Sequence, residues 1–232
     1  MRKLGKKYVE ASSKVEKNKT YGVEEAVKLV KETSITKFDS SVEVAMNLNI
    51  DTKKSDQQLR GSIVLPNGTG KSKKILVLAK GAAAAEAKEA GADFVGDTDL
   101  IDKIANENWF DYDTIVATPE MMPALGKIGK VLGPKGLMPN PKTGTVTTTP
   151  SKTVTDIKKG MVEYRADSLG NVHGIIGKVS FDEKALSENL TYFINTIIKS
   201  KPTTIKGKFV KSISICTTMG PGIKIDLNSF DK

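Results

Sequence analysis

Between Val42 and Ile50 every second side chain is apolar: Val42, Val44, Met46, Leu48 and Ile50 alternate with Ser41, Glu43, Ala45, Asn47 and Asn49. A period of two places one set on each face of a pleated strand, so the stretch reads as a half-buried β-strand. Upstream, Val23, Ala26, Val27 and Val30 recur at helical spacing, which predicts an amphipathic helix over 22–33 with Lys28 and Lys31 outward. A second strand is expected over Gly61–Leu65, ended by Pro66-Asn67-Gly68. The first nineteen residues read as a basic, helical or partly ordered arm.

The pattern then changes. Lys74–Ala79 is a short, wholly apolar strand, followed by an alanine-rich helix over Ala82–Ala90 that Gly91 stops. A brief strand over Asp93–Gly96, a helix over 98–107 and a strand over Thr114–Ala117 follow, and Thr118 then caps a helix with Pro119 at its first position. Continuous apolar strands alternating with helices indicate a small parallel α/β layer structure. From Gly160 the half-exposed style returns. Val162, Tyr164 and Ala166 alternate, Asp167–Asn171 turns, and Val172–Phe181 forms a return strand. Ser180 and Glu183 have capping-box spacing before a helix over 182–198, whose apolar face is Leu186, Leu190, Phe193, Ile194 and Ile197. Phe209 to Ile215 leads into a last strand, a turn over Thr217–Gly222 and the tail Ile223–Leu227. The expected fold is therefore mixed, α/β and α+β, in two domains. Residues 1–66 and 160–232 form one discontinuous α+β domain, and residues 67–159 form an inserted α/β domain.

Charge sharpens this picture. The 232 residues carry a formal net charge of +9, and the pI of about 9.4 suggests a polyanionic partner. An anionic membrane is disfavoured, because the longest aliphatic run, Ile75–Ala79, is far too short to span a bilayer. No apolar core follows the basic start, so a signal peptide is not expected. A single cysteine, Cys216, excludes an intrachain disulfide and fits a reducing compartment. The charge is also unevenly placed. Residues 86–113 carry nine acids, whereas residues 121–160 carry seven lysines against Asp156 alone. Within the latter, Gly133-Pro134-Lys135-Gly136-Leu137-Met138-Pro139-Asn140-Pro141-Lys142-Thr143-Gly144 has three prolines and three glycines. It reads as a shaped cationic loop of the kind that meets an anion.

Enzymatic motifs fail one by one. Gly68-Thr69-Gly70-Lys71-Ser72 invites comparison with a phosphate loop, but Leu65 stands where the first glycine is required, and a strand follows instead of a helix. No Gly-x-Gly-x-x-Gly opens either helix of the α/β block. His173 is the only histidine, and no spacing supports a metal site or a nucleophile–base pair around it. Neither a metal nor a cofactor is expected. No helix-turn-helix or basic recognition helix favours duplex DNA. Phe38, at the rim of the strongest strand, is either a core plug or a platform for a base or sugar. The turn Thr217-Thr218-Met219-Gly220-Pro221-Gly222 is either a plain hairpin turn or a second rim that reads phosphates and 2′-hydroxyls.

Several elements together resemble the bacterial large-subunit ribosomal proteins of the L-one family, which build the mobile side stalk. They are Lys37-Phe38-Asp39, Ser55-Asp56-Gln57 with Arg60-Gly61, Ala90-Gly91-Ala92-Asp93, Ala117-Thr118-Pro119, the proline-rich element over 133–142, Gly177-Lys178 and Thr217-Thr218-Met219-Gly220-Pro221. The resemblance runs over nearly the whole chain. It implies a Rossmann-like inserted domain and a terminal domain that binds the rRNA stalk near the tRNA exit site. It also implies help in releasing deacylated tRNA, and repression of the protein's own operon through a stalk-like mRNA leader.

Carried over by motif, the rRNA and mRNA surface is expected to comprise Lys37, Phe38, Ser41, Glu43, His173, Lys178, Thr217, Thr218, Met219 and Gly220. Ser41 stands where threonine is expected and keeps the hydroxyl. Lys127, Lys130, Lys135 and Lys142 are candidates for contact with tRNA or a second RNA surface. The expected partners are the large-subunit rRNA stalk, exit-site tRNA and the operon mRNA leader, with no membrane and a monomeric state outside the ribosome. Pro66–Gly70 and Lys158–Gly160 are the candidate hinges.

Overall fold

The structure, a computed structural model, describes residues 4–16 and 18–230. Met1, Arg2, Lys3 and Lys17 of the expected basic arm lie outside the described residues, as do Asp231 and Lys232. In chain order the first elements are α1 (Lys6–Ser13), α2 (Val23–Glu32), β1 (Ser41–Leu48) and β2 (Arg60–Val64). Next come β3 (Ile75–Leu78), α3 (Ala82–Glu89), β4 (Phe94–Gly96), α4 (Thr98–Glu107) and β5 (Thr114–Ala117). They are followed by α5 (Met122–Lys127), α6 (Gly129–Leu132) and α7 (Pro150–Lys158). The last are β6 (Met161–Arg165), β7 (Asn171–Lys178), α8 (Glu183–Lys199), β8 (Val210–Thr217) and β9 (Ile223–Ile225). The chain divides into two compact units, Met1–Gly70 with Val162–Lys232, and Lys71–Met161.

In the first unit the alternation over 41–48 becomes the middle of an antiparallel sheet ordered β7-β1-β8-β9. Val42, Val44, Met46 and Leu48 are buried against α2 and α8, while Ser41, Glu43, Ala45 and Asn47 stay half-exposed on the other face. In α2, Glu24 and Glu25 occupy the first turn and Lys31 the last, which suits the helix dipole. The α8 stripe of Leu186, Leu190, Phe193, Ile194 and Ile197 is fully buried, and each such side chain contributes roughly 1.5–3 kcal/mol. Gly174 is required by close approach, because a Cβ there would lie 2.5 Å from the Phe193 ring. Strands β2 and β6 pair separately.

Two expectations change here, and a third segment gains an anchor. The capping box is not formed: α8 begins after Asp182, which makes no side-chain cap bond, and the Ser180 hydroxyl turns to Asp39 instead. The return strand stops at Lys178, three residues early, because Phe181 turns back to bond the Lys178 carbonyl. The candidate hinge Pro66–Gly70 is anchored to α8. Fully buried Asn189 accepts from the Asn67 amide at 3.0 Å and donates to the Gly68 carbonyl at 3.0 Å and the Ile176 carbonyl at 2.8 Å.

The second unit is a parallel sheet ordered β4-β3-β5, with every residue of β3 buried. Leu76, Leu78, Ile115 and Ala117 face α4 and α5, while α3 and α7 cover the opposite face. Thr118 sits where expected before Pro119, but the helical turn it precedes is a 3-10 turn, and its side chain makes no capping bond. Helix α7 was not expected, since the cationic loop was read over 133–144 and no element was assigned between it and Gly160. Its Val154 and Ile157 are buried, so packing rather than propensity creates it.

Candidate nucleic-acid interface

Antiparallel pairing brings three separate stretches to one end of the first unit's sheet. Ser41, at the start of β1, lies opposite Lys178 at the end of β7, and Val42 lies opposite Thr217 at the end of β8. The loops before β1 and after β7 and β8 therefore share a rim. Their backbones are tied together. The Ser41 amide donates to Thr218 Oγ1 at 3.1 Å, and the Thr218 amide donates to the Ser41 carbonyl at 3.1 Å. The Val179 amide donates to the Ser40 carbonyl at 3.0 Å, and Lys178 Nζ to the Asp39 carbonyl at 3.2 Å.

Asp39 clamps the first loop to the second, accepting from the Ser180 amide at 3.1 Å and the Ser180 hydroxyl at 2.8 Å. These bonds hold Phe38 outward. Phe38 is 62% exposed and Met219 is 60% exposed, so neither fills the core. Two large apolar side chains in water on a cation-bearing rim form an exposed apolar feature that folding alone does not explain. Lys37 stands beside Phe38, exposed.

The rim continues onto the open face of the sheet. Ser41, Glu43 and Ala45 point to that face, opposite Cys216 and Ser214 on β8, and Ile175 and His173 on β7. A bulge at Val42/Glu43 skips Ile176, which is buried, and leaves Ile175 outward at 39% exposure. His173 is opposite Ala45, four residues down β1 and so about 13 Å from the rim. Its Nε2 lies 3.9 Å from Asp167 Oδ2. The Asp167 carboxyl is held below its usual range, first by the Asn171 side-chain amide and the Asn171 backbone amide, with His173 the smallest influence. Burial pushes the Cys216 thiol up, and the nearby Glu43 carboxylate adds to it.

Thr217 requires a correction. It is 2% exposed and points inward, and its hydroxyl has no hydrogen-bond partner among the described residues. As the partner of Val42 it belongs to the core face, so Thr218 is the threonine presented to solvent. Gly220 is needed beside it, since a Cβ there would run into the Thr217 hydroxyl. Asp39, Ser180 and Ile175 were not expected among the site residues, although Ser180 was read as a helix cap. Asp39 stood in the Lys37-Phe38-Asp39 element, but its partner is 141 residues away.

In the second unit, Lys127, Lys130, Lys135 and Lys142 are all exposed, the first two on α5 and α6 rather than in a loop. The proline-rich loop is held in shape from inside. The Asn140 amide donates to Thr145 Oγ1 at 2.8 Å, and Thr143 and Thr145 are buried. Gly136 takes φ +70°, which L side chains resist. Lys135 Nζ sits 3.9 Å from the centroid of the Phe110 ring, a cation–π contact that limits where its charge points.

Among the described residues no group of three or more His, Cys, Asp or Glu side chains is placed to hold a metal ion, and no helix is long and apolar enough to cross a membrane. Residues 30–221 match the model of the family described as the ribosomal protein L1p/L10e family.

Proposed function

The chain belongs to the ribosomal protein L1p/L10e family, and on that premise we propose that its rim grips the mobile side stalk of the large-subunit rRNA. Membership makes it an rRNA-binding structural protein of the cytoplasmic large ribosomal subunit, in a family of ribosomal components rather than enzymes. In the proposed reading the discontinuous unit is the rRNA-binding domain, and the Rossmann-like domain is inserted into it. Lys37, Phe38, Ser41, Glu43, Lys178, Thr218, Met219 and Gly220 form the contact, with His173 extending it along the sheet and Thr217 supporting it from below.

The observation that carries this reading is the outward pair Phe38 and Met219, held at one sheet end by the Ser41–Thr218 bonds. Lysines supply affinity by releasing counterions, while hydroxyls, the glycine backbone and the apolar pair supply shape complementarity to ribose and base. Glu43 forms no ion pair among the described residues, so it serves as an acceptor for a 2′-hydroxyl or a base amine rather than as a partner for lysine.

The same rim binds a stalk-like fold in the leader of its own operon mRNA and represses translation. Because one surface serves both RNAs, excess rRNA stalk fragment displaces the leader in a titration. A ternary complex with both RNAs bound would sink the shared-rim reading. The protein is a monomer outside the ribosome and assists release of deacylated tRNA from the exit site, with Lys127, Lys130, Lys135 and Lys142 facing that tRNA. Reversing the charge of Lys135 and Lys142 slows tRNA release and leaves stalk affinity unchanged; unaltered release would remove this role.

A further inference from the structure

The second unit carries an anion-binding geometry that the rim does not use. In its sheet, β3 is followed by α3 and then by β4 on one side, whereas β5 lies on the other. Connections therefore diverge at the carboxyl ends of β3 and β5, and open parallel sheets bind ligands in the crevice at such a point. Strand alternation assigns the side chains there. Leu78 and Ala117 face α4 and α5, so Ala79 and Thr118, next along each strand, belong to the face covered by α3 and α7. The Thr118 amide donates to the Leu78 carbonyl at 3.1 Å, which keeps the two strand ends level.

Both covering helices begin at this edge. α3 leaves the carboxyl end of β3, and α7 follows Val146, which bridges Ala117 in parallel orientation. At the opposite edge Lys158, ending α7, donates through its ammonium to the carbonyl of Gly91, just past α3. The two helices thus run side by side in the same direction, and their dipoles add at the carboxyl edge. Neither N-terminus has a side-chain cap. The first-turn amides of Ala82 and Ala83, and of Ser151 and Lys152 behind Pro150, have no intrahelical acceptor. A Cβ built on Gly81 would meet nothing within 4 Å, so the start of α3 opens on free space.

Thr118 lies at the carboxyl end of β5, on the sheet face that both helices cover. Thr118 is 8% exposed, and its Oγ1 is buried with no hydrogen-bond partner among the described residues. A buried hydroxyl without a partner is unfavourable unless something supplies one. We propose that the carboxyl edge of the β3–β5 crevice binds a terminal phosphate group, a phosphate monoester. Thr118 gives the innermost oxygen its hydroxyl, and the paired helix N-termini donate to the others. Lys80, on the turn into α3, is 3.6 Å from the Asp97 carboxylate. That pair is exposed and weak, and the backbone amides carry the recognition. Because the deepest donor belongs to a nearly buried residue, a slim terminal phosphate suits the site better than a phosphodiester inside a chain. A mononucleotide and an RNA terminus both present that chemistry.

The test is an amide-resolved NMR titration of the full chain with inorganic phosphate, uridine 5′-monophosphate, and one RNA oligonucleotide bearing either a 5′-phosphate or a 5′-hydroxyl. Saturable shifts at Ala82, Ala83, Ser151 and Lys152 are expected with phosphate and the mononucleotide. Tighter binding of the mononucleotide identifies a free nucleotide as the source, and tighter binding of the 5′-phosphorylated RNA identifies an RNA end. Thr118→Val weakens phosphate about tenfold, the loss of one charge-assisted hydrogen bond. Ala83→Asp abolishes binding while keeping Tm, since an acid in a first turn suits the helix but repels the ligand. Stalk RNA binding is unchanged in both variants, which separates this site from the rim. Shifts scattered over surface lysines, or both variants titrating like the parent, would overturn the proposal.

Discussion

Ser41 and Thr218, 177 residues apart, exchange hydrogen bonds in both directions: the Ser41 amide donates to Thr218 Oγ1 and the Thr218 amide to the Ser41 carbonyl. The side chain of Thr218 thus extends the β1–β8 ladder one step past Val42 and Thr217, and fixes the loop of Phe38 against the loop of Met219. Thr218→Val removes the acceptor for the Ser41 amide. It is expected to cost about 1 kcal/mol of stability in urea denaturation, because the exposed amide regains water. Stalk RNA affinity falls at the same time.

Phe38→Ala and Met219→Ala separate binding from folding. Both side chains are mostly exposed, so stability should change by no more than about 0.5 kcal/mol. Loss of a stacking platform at Phe38 is expected to weaken stalk RNA by about 1–3 kcal/mol in filter binding. Across a salt titration the parent should show a slope of about −2 to −4, from roughly three to five phosphates neutralised. Phe38→Ala keeps that slope, whereas Lys37→Ala lowers it by about one.

In the proposed interface Asp39 acts through Phe38 rather than on RNA. Asp39→Ala frees Ser180 and loosens the loop, so affinity drops although no RNA contact is removed. Asp39→Asn keeps an oxygen acceptor for Ser180 and recovers part of the affinity. If Asp39→Ala bound stalk RNA as well as the parent, the clamp would have no functional role.

Gly220 and Thr217 form a coupled pair. Gly220→Ala drives a methyl group into the Thr217 hydroxyl and is expected to destabilise by about 1–3 kcal/mol. Thr217→Ala removes that hydroxyl, so the double variant should be more stable than the sum of the single losses predicts. Additive effects in thermal unfolding would contradict the contact.

Cys216 lies on the open face opposite Glu43, with its thiol pushed above the ordinary range by burial. A raised pKa disfavours the thiolate, so iodoacetamide should alkylate Cys216 more slowly at pH 8 than it does a free thiol. Its contribution to stability is present below the unfolded thiol range and is lost as pH rises through the folded one. Bound stalk RNA should slow alkylation further if the contact reaches down the sheet.

Much of this architecture could be read locally. The period of two over 41–48, the apolar stripe of α8 and the all-apolar β3 each follow from side-chain direction within a single element, which sequence order alone specifies. The rim elements 37–39 and 217–220 were recognisable only through their resemblance to the motifs of a known family. Helix α7 was not legible, since Pro150-Ser151-Lys152-Thr153-Val154-Thr155 is rich in weak helix formers and becomes helical only where Val154 and Ile157 meet the sheet.

Ser180 shows the limit most clearly. Its spacing to Glu183 favoured a helix cap three residues away, yet its hydroxyl bonds Asp39, brought alongside by the pairing of β1 with β7. Thr217 and Thr218 are chemically identical neighbours, and only the sheet register sends one into the core and the other to the rim. The chain's own order thus determines which residues alternate, bury or turn. Which distant residues share a surface is settled by strand pairing, because hydrogen bonds and packing between remote segments have no counterpart in local periodicity.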